Sequence, residues 1–247
     1  MTACAECGGI GLVPRLVDGV RCSAPCRCQT SQRYKAMIAR SRIPAGYLEA
    51  SFQNFKKTET TTKAMMTSLQ FVREFVPGLA ANPRTLGLML TGSVGVGKTH
   101  LAAAALRQLI EEKGIYGRFV DVRELLDRLR SSYGDDAKES QAQILAPLLN
   151  ADLVVIDELG AARPSDWVFE TIELLIGGLY NRIVPVIVTT NLANLPAGGN
   201  VTNVQNEYAR ATRQETLGDR IGMRMWSRLQ EMCVSVDMTG PDWRMKR

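Results

Sequence analysis

Gly92-Ser-Val-Gly-Val-Gly-Lys98-Thr99 fits the pattern GxxxxGK[ST], and it stands between an apolar run, TLGLMLT at 85–91, and a helical stretch from Thr99 to Glu112. No other part of the chain restricts the fold as much. Glycines at 92, 95 and 97 let the backbone turn so that its N–H groups, and the helix that follows, point at phosphate oxygens. The pattern makes Gly92, Ser93, Val94, Gly95, Val96, Gly97, Lys98 and Thr99 a phosphate-binding stretch, with Lys98 on the terminal phosphates and Thr99 on magnesium. His100, the single histidine of the chain, adjoins this stretch and is placed with its nucleotide-binding residues, as a residue of the helix's first turn and not as a catalyst.

Such a loop needs a strand to deliver it and a helix to receive it, and the chain repeats that alternation. Apolar runs at 85–91, 118–122, 152–157, 184–191 and 231–238 are separated by helical stretches, notably Thr99 to Glu112 and Ser165 to Asn181. Short buried strands joined by helices predict an α/β fold: a five-stranded parallel sheet with helices on both faces. With 247 residues, 45% of them hydrophobic, the chain can bury one main core and carry a small appendage. The expected organisation is an N-terminal module at 1–43, a linker and first helix at 44–84, and a nucleotide-binding core at 85–247. The nine residues after the last run, TGPDWRMKR, are too few for a separate helical lid.

A second motif completes the nucleotide site. In Leu153-Val-Val-Ile-Asp157-Glu158 an apolar strand ends in an acidic doublet, where Asp157 would orient magnesium and Glu158 would polarise an attacking water. An adjacent base points to hydrolysis; a small-molecule kinase does not need one. Farther on, VIVTTN carries Thr189, Thr190 and Asn191 to a strand end, where a neighbouring strand would meet the terminal phosphate. In LGDRIGMRMWSRL, Arg220, Arg224 and Arg228 recur every four residues, which predicts one basic helix face. That face is either simply solvated or offers an arginine to a neighbouring subunit's nucleotide.

The first 28 residues are of another kind. They hold five of the six cysteines, Cys4, Cys7, Cys22, Cys26 and Cys28, with few residues able to build a core. Thiols so clustered read as metal ligands, and the metal would supply the folding energy. Residues 29–43, with Arg33, Lys35, Arg40 and Arg42 and no acid, predict a basic helix ended by Pro44. Cys233, alternating with Val234 and Val236, reads as a core residue. A net charge of +5 admits a nucleic-acid partner without requiring one. No run approaches the length of a membrane span and no signal pattern opens the chain, so a cytoplasmic protein without membrane association is expected.

Taken together, IPAGYLEASFQNF (43–55), GSVGVGKTHLA, LVVIDELG followed by Trp167, VIVTTNL, LGDRIGMRM and the closing Asp-Trp-Arg244 resemble the DnaC/DnaI family of replicative helicase loaders, within the AAA+ superfamily. The resemblance covers most of 43–247. It implies an ATPase using ATP and magnesium, with Asn191 as the water-positioning sensor, Arg224 as the arginine finger, Arg220 as a supporting arginine and Arg244 as the second sensor. It also implies that the segment Arg123 to Gln143 lines the inner face of a ring or open spiral of subunits and touches single-stranded DNA, and that the partner is a hexameric replicative helicase. By the same likeness the N-terminal module binds zinc through Cys4, Cys7, Cys26 and Cys28, with Cys22 as the alternate ligand; an iron–sulfur cluster is the other reading. The polar stretch before Arg220 is longer than the family pattern, which loosens the register of Arg220 and Arg224. Two rival functions stay open: an IstB-like transposition ATPase acting on duplex DNA, and a P-loop kinase with a zinc appendage.

Overall fold

The computed structural model describes residues 4–7, 10–17, 19–133, 138–199 and 215–245. Gly8 and Gly9, which the sequence places in a turn, and most of the polar stretch before Arg220 lie outside the described residues.

The main sheet has five parallel strands: β3 (Leu88–Gly92), β4 (Gly117–Asp121), β5 (Leu153–Asp157), β6 (Val186–Thr190) and β7 (Val234–Met238), in the order β4-β5-β6-β3-β7. This is the sheet expected from the apolar runs. Side chains along a strand point alternately to its two faces, and here both faces are covered. On one side Leu88, Leu90, Leu153, Val155 and Ile187 meet α2 (Glu59–Ala81) and α3 (Lys98–Lys113). On the other, Met89, Val154, Ile156, Val186 and Val188 meet α4 (Val122–Arg130), α5 (Gln141–Leu149), α6 (Asp166–Arg182), α7 (Leu217–Ile221) and α8 (Met223–Met232).

The N-terminal residues form a hairpin that the sequence does not announce. Strands β1 (Leu12–Val17) and β2 (Val20–Pro25) pair antiparallel and lead into helix α1 (Arg27–Ser41). The basic helix therefore begins and ends two residues before the expected 29–43. Cys26 is its N-cap, and Arg42 closes it in the left-handed conformation at φ 60°; beyond it Pro44 keeps Ile43 out of helical backbone, so the helix does not continue. One face of α1, through Tyr34, Met37 and Ile38, packs on the core. The segment at 44–84, expected as the linker and first helix of the ATPase region, packs into that core through Ala50, Phe52, Phe55, Ala64, Phe71 and Phe75. Among the described residues no helix is long and apolar enough to cross a membrane.

Candidate ATP-binding cleft and cysteine cluster

The strand ends converge on one cleft of about 380 Å³ at the C-terminal edge of the sheet. Ligands of open parallel sheets bind at that edge. Gly95 and Gly97 take φ of 76° and 102°, conformations open to glycine at little cost. Gly97 also lies so near Phe55 that a Cβ there would come within 2.6 Å of the ring. Helix α3 begins at Lys98, whose Nζ is buried and donates to the carbonyls of Gly92 at 2.8 Å and Ser93 at 2.6 Å. Burial pushes the Lys98 ammonium down to about 8, while the carboxylates of Asp157 and Glu158 pull it back up.

Thr99 Oγ1 donates to Asp157 Oδ1 at 3.0 Å, and Thr189 Oγ1 donates to the same oxygen at 2.5 Å. Burial raises the Asp157 carboxyl above its usual range; the two hydroxyl hydrogen bonds oppose that, and the nearby Glu158 and Asp121 add to it. A hydroxyl and a carboxylate side by side are a hard oxygen donor set, which fits magnesium. Glu158 lines the cleft in a left-handed conformation, φ 56°, unusual for a side chain of its size, with its N–H held by Thr189 Oγ1 at 3.0 Å. Asn191 also lines the cleft. His100 lines it as well, but its Nε2 donates to the Ser51 carbonyl at 3.0 Å and its ring meets Phe55 at 5.5 Å, so it fastens the 51–55 segment to α3.

Two walls of the cleft escape motif reading. One is Tyr47, Asn54, Phe55 and Lys56; the other is the C-terminal strap, where the Trp243 N–H donates to the Gly95 carbonyl at 3.1 Å and Arg244 reaches the rim. The only sequence signal for either was the family likeness of 43–55 and of the closing Asp-Trp-Arg.

The row of three arginines is not one helix face. Gly222, at φ 81° and ψ 149°, separates α7 from α8, and a capping box of Thr216 with Asp219 starts α7 independently. Arg220 therefore points back into its own subunit, donating to the Ala162 carbonyl at 2.7 Å and to Glu215 at 2.7 Å. Arg224 faces outward from α8, paired with Glu173 of α6 at 2.7 Å, and does not line the cleft. Arg228 lies over the Tyr180 ring at 4.9 Å. The four-residue spacing is real, but the positive-φ Gly222 breaks the helix after Arg220 and turns that guanidinium to the Ala162 carbonyl, while Arg224 and Arg228 stay together on α8 and both face α6.

Helix α4 runs to Arg130 and then tightens into a 3-10 turn, Ser131–Tyr133. Leu125, Leu126 and Leu129 are buried in the core. Arg130 stacks over Trp167 at 4.9 Å and Tyr133 meets the same ring edge-on at 6.5 Å. Arg128 is turned away to Glu139 at 2.7 Å.

At the N-terminus, Sγ atoms of Cys4, Cys7, Cys26 and Cys28 all lie within 4.8 Å of one another. Cys4 and Cys26 are 3.8 Å apart and Cys7 and Cys28 are 3.5 Å apart. Four thiolates around zinc, with bonds of about 2.3 Å, sit about 3.8 Å from each other, so the cluster fits zinc. The Gly11 N–H donates to Cys7 Sγ at 3.2 Å, and the Cys26 N–H to the Gly11 carbonyl at 2.8 Å, which ties the first cysteine turn to the start of α1. Cys22 is on β2 opposite Arg15, exposed and outside the cluster.

A five-stranded parallel sheet, a phosphate loop on its central-side strand β3, and an acidic doublet ending β5 define an ATP-binding protein of the AAA+ class. Comparison with known proteins narrows this: the chain belongs to the IstB-like ATP binding protein family, whose model matches residues 31–197. It is 28% identical over 149 residues to the replicative helicase loader DnaC of Escherichia coli strain K12, which is 60% of this chain and 58% of that protein. The chain thus spans under two thirds of the length of this curated relative. The crystal structure of the DnaC helicase loader superposes with a TM-score of 0.60 at 32% identity, covering 79% of this chain and 100% of that one. AMPPCP-bound DnaA from Aquifex aeolicus, at 16% identity and TM-score 0.56 over 80% of this chain and 51% of its own, shares the fold.

Proposed function

We infer that the protein is an ATP-dependent loader that docks on a hexameric replicative helicase and delivers it to single-stranded DNA, acting in the cytoplasm. The observation that carries this reading is the 32% identity with the DnaC helicase loader over the whole of that structure, on a chain whose nucleotide cleft is fully furnished. Lys98 binds the terminal phosphates, Thr99 and Asp157 hold magnesium, and Glu158 orients and deprotonates the attacking water with Asn191 beside it. Magnesium, when bound, neutralises phosphate charge. Arg244, on the rim, senses the nucleotide from within the subunit. Arg224 is exposed and reaches no part of its own cleft, so its service to ATP is in trans, to the next subunit of a ring or spiral. Nucleotide state then times release. The zinc-bearing hairpin and the basic α1 form the helicase-docking module, and α4 with Tyr133 and Trp167 engages single-stranded DNA by phosphate contact and stacking.

Affinity purification from cells with identification of the partner tests the reading. A replicative helicase in the eluate supports it. A transposase in its place supports the rival reading, a transposition ATPase. Service in trans is tested by mixing two inactive variants, Lys98→Ala and Arg224→Ala: the first offers a sound arginine to the second's sound cleft, so ATPase activity returns and rises with concentration. No recovery from folded, ATP-binding Arg224→Ala ends the trans assignment.

A further inference from the structure

The loop that follows Glu158 is gripped by two arginines from different helices. Arg123 of α4 donates through Nη2 to the Ala161 carbonyl at 3.2 Å, and Arg220 of α7 donates through Nη1 to the Ala162 carbonyl at 2.7 Å. We propose that residues 158–162 are a two-input coupling loop: Arg123 reports DNA contact on α4, and Arg220 reports the seating of α7, to the Glu158 carboxylate. The proposal rests on the reading of α4 as a DNA-contacting helix and names a regulator of that same site.

Glu158 holds a left-handed backbone, which a non-glycine residue keeps only where its surroundings fix it. The first half of the loop is fixed to β6: the Glu158 N–H donates to Thr189 Oγ1, the Leu159 N–H to the Thr189 carbonyl, and Thr190 Oγ1 to the Leu159 carbonyl. Gly160 then turns the chain at φ 83°, and the Ala161 N–H closes the turn onto the Glu158 carbonyl at 3.0 Å. A Cβ on Gly160 would come within 2.5 Å of Leu192 and 3.2 Å of Arg220, so the turn packs closely against both and suits glycine alone. Any pull on Ala161 or Ala162 therefore reaches Glu158 through a single closed turn.

The two inputs differ in kind. Arg123 is exposed, and it follows Asp121, whose register partner across the sheet is Asp157; the sheet itself sets its distance from the loop. A DNA phosphate is a charged acceptor and outcompetes a peptide carbonyl for a guanidinium. DNA lying on α4 thus draws Arg123 off Ala161 and slackens the outer half of the loop. Arg220 is half-buried and also held by Glu215, so it stays with the loop and moves only as α7 moves. Arg123 is accordingly a positioning residue, acting through the loop and not on the nucleotide.

The test is ATP turnover by the full chain with and without a saturating single-stranded oligonucleotide, with oligonucleotide binding followed by fluorescence anisotropy on the same samples. In the wild type kcat responds to the oligonucleotide by roughly two- to tenfold, the range one hydrogen bond spans, with KM for ATP unchanged. In Arg123→Ala, kcat is the same with and without oligonucleotide. Arg123→Lys, able to reach carbonyl or phosphate, restores part of the response. Arg123→Gln keeps a polar, helix-compatible side chain but is uncharged and too short to reach the Ala161 carbonyl, and it gives the alanine result even if alanine disturbs the first turn of α4. An Arg123→Ala protein that binds oligonucleotide and keeps the wild-type response overturns the proposal and leaves the loader reading standing. So does a wild type that binds oligonucleotide without any change in kcat. A wild type that binds no oligonucleotide in the presence of ATP removes the DNA reading of α4 and the proposal with it.

Discussion

The hairpin of β1 and β2 and the main sheet are both built from short apolar strands, yet they are held together in opposite ways. In β5 and β6 every residue is buried, between helices on both faces. In the hairpin Leu16 is 71% exposed and Val20 63% exposed, so its apolar side chains contribute little to its folding. A two-stranded hairpin in water is marginal by itself. What closes this one is the set of four thiols gathered beyond its ends, where Cys4 and Cys7 from one side meet Cys26 and Cys28 from the other. Apolar strands alone do not predict a core; the neighbours that cover them do.

If the two regions are independent in this way, each can be broken without the other, and the largest effect belongs to the metal. Cys7→Ser removes one thiolate of a site whose zinc, as a whole, is worth on the order of 10 kcal/mol to a small module. Elemental analysis then finds the zinc content falling from about one per chain towards none, and proteolysis cuts the hairpin, while ATP affinity holds. Cys22→Ser, outside the cluster, keeps its zinc. Loss of ATP binding on Cys7→Ser would show that the module props up the cleft and that the comparison is wrong.

The next effect lies in the cleft. Glu158→Gln removes a base without touching the phosphate cradle, so turnover falls by about 10²- to 10⁴-fold with ATP affinity and zinc content retained. Unchanged turnover would strip Glu158 of its assigned role. Smaller again is Leu106→Ala on α3, a fully buried side chain packed beneath Gly117. Denaturant unfolding of the core should show a loss of about 2 to 5 kcal/mol, with zinc content again unchanged.

The gentlest probe is pH. With burial holding the Lys98 ammonium near 8, the lysine is charged at pH 7 before nucleotide arrives. Phosphate favours the charged form, so above that value binding must take up a proton and ATP affinity weakens, by up to about tenfold per pH unit. Below it the affinity is level, as far as this group is concerned. Calorimetry in buffers of different ionisation enthalpy at pH 9 checks the proton uptake. Affinity independent of pH between 7 and 9 would mean that burial does not lower the Lys98 ammonium before nucleotide binds.

Much of the nucleotide site could be read along the chain because its parts are local. A phosphate loop is eight consecutive residues, and Asp157 with Glu158 closes one strand; backbone geometry alone brings each fragment to the strand end. His100, Trp243 and Tyr47 were harder. Their roles depend on segments from both chain ends folding over α3 and the loop, and no periodicity records that. The arginine row misled for a related reason: spacing by four assumes one uninterrupted helix, and Gly222 ends it.

By itself, then, the sequence determined the alternation of strands and helices, the sheet they form, the two acidic and glycine-rich motifs and the presence of a thiol site, since each follows from residue order over a few turns of chain. Only the tertiary structure decided which four of five cysteines meet, that residues 44–84 belong to the core, and where each arginine points. Those outcomes turn on distances between residues far apart in the chain. Cys22 is closer in sequence to Cys26 than Cys4 is, yet β2 carries it along a strand and away from the cluster, while the hairpin brings Cys4 and Cys7 back to the first turn of α1. Likewise Arg123 and Arg220, 97 positions apart by their numbering, meet consecutive carbonyls because the sheet ends and α7 converge on one loop.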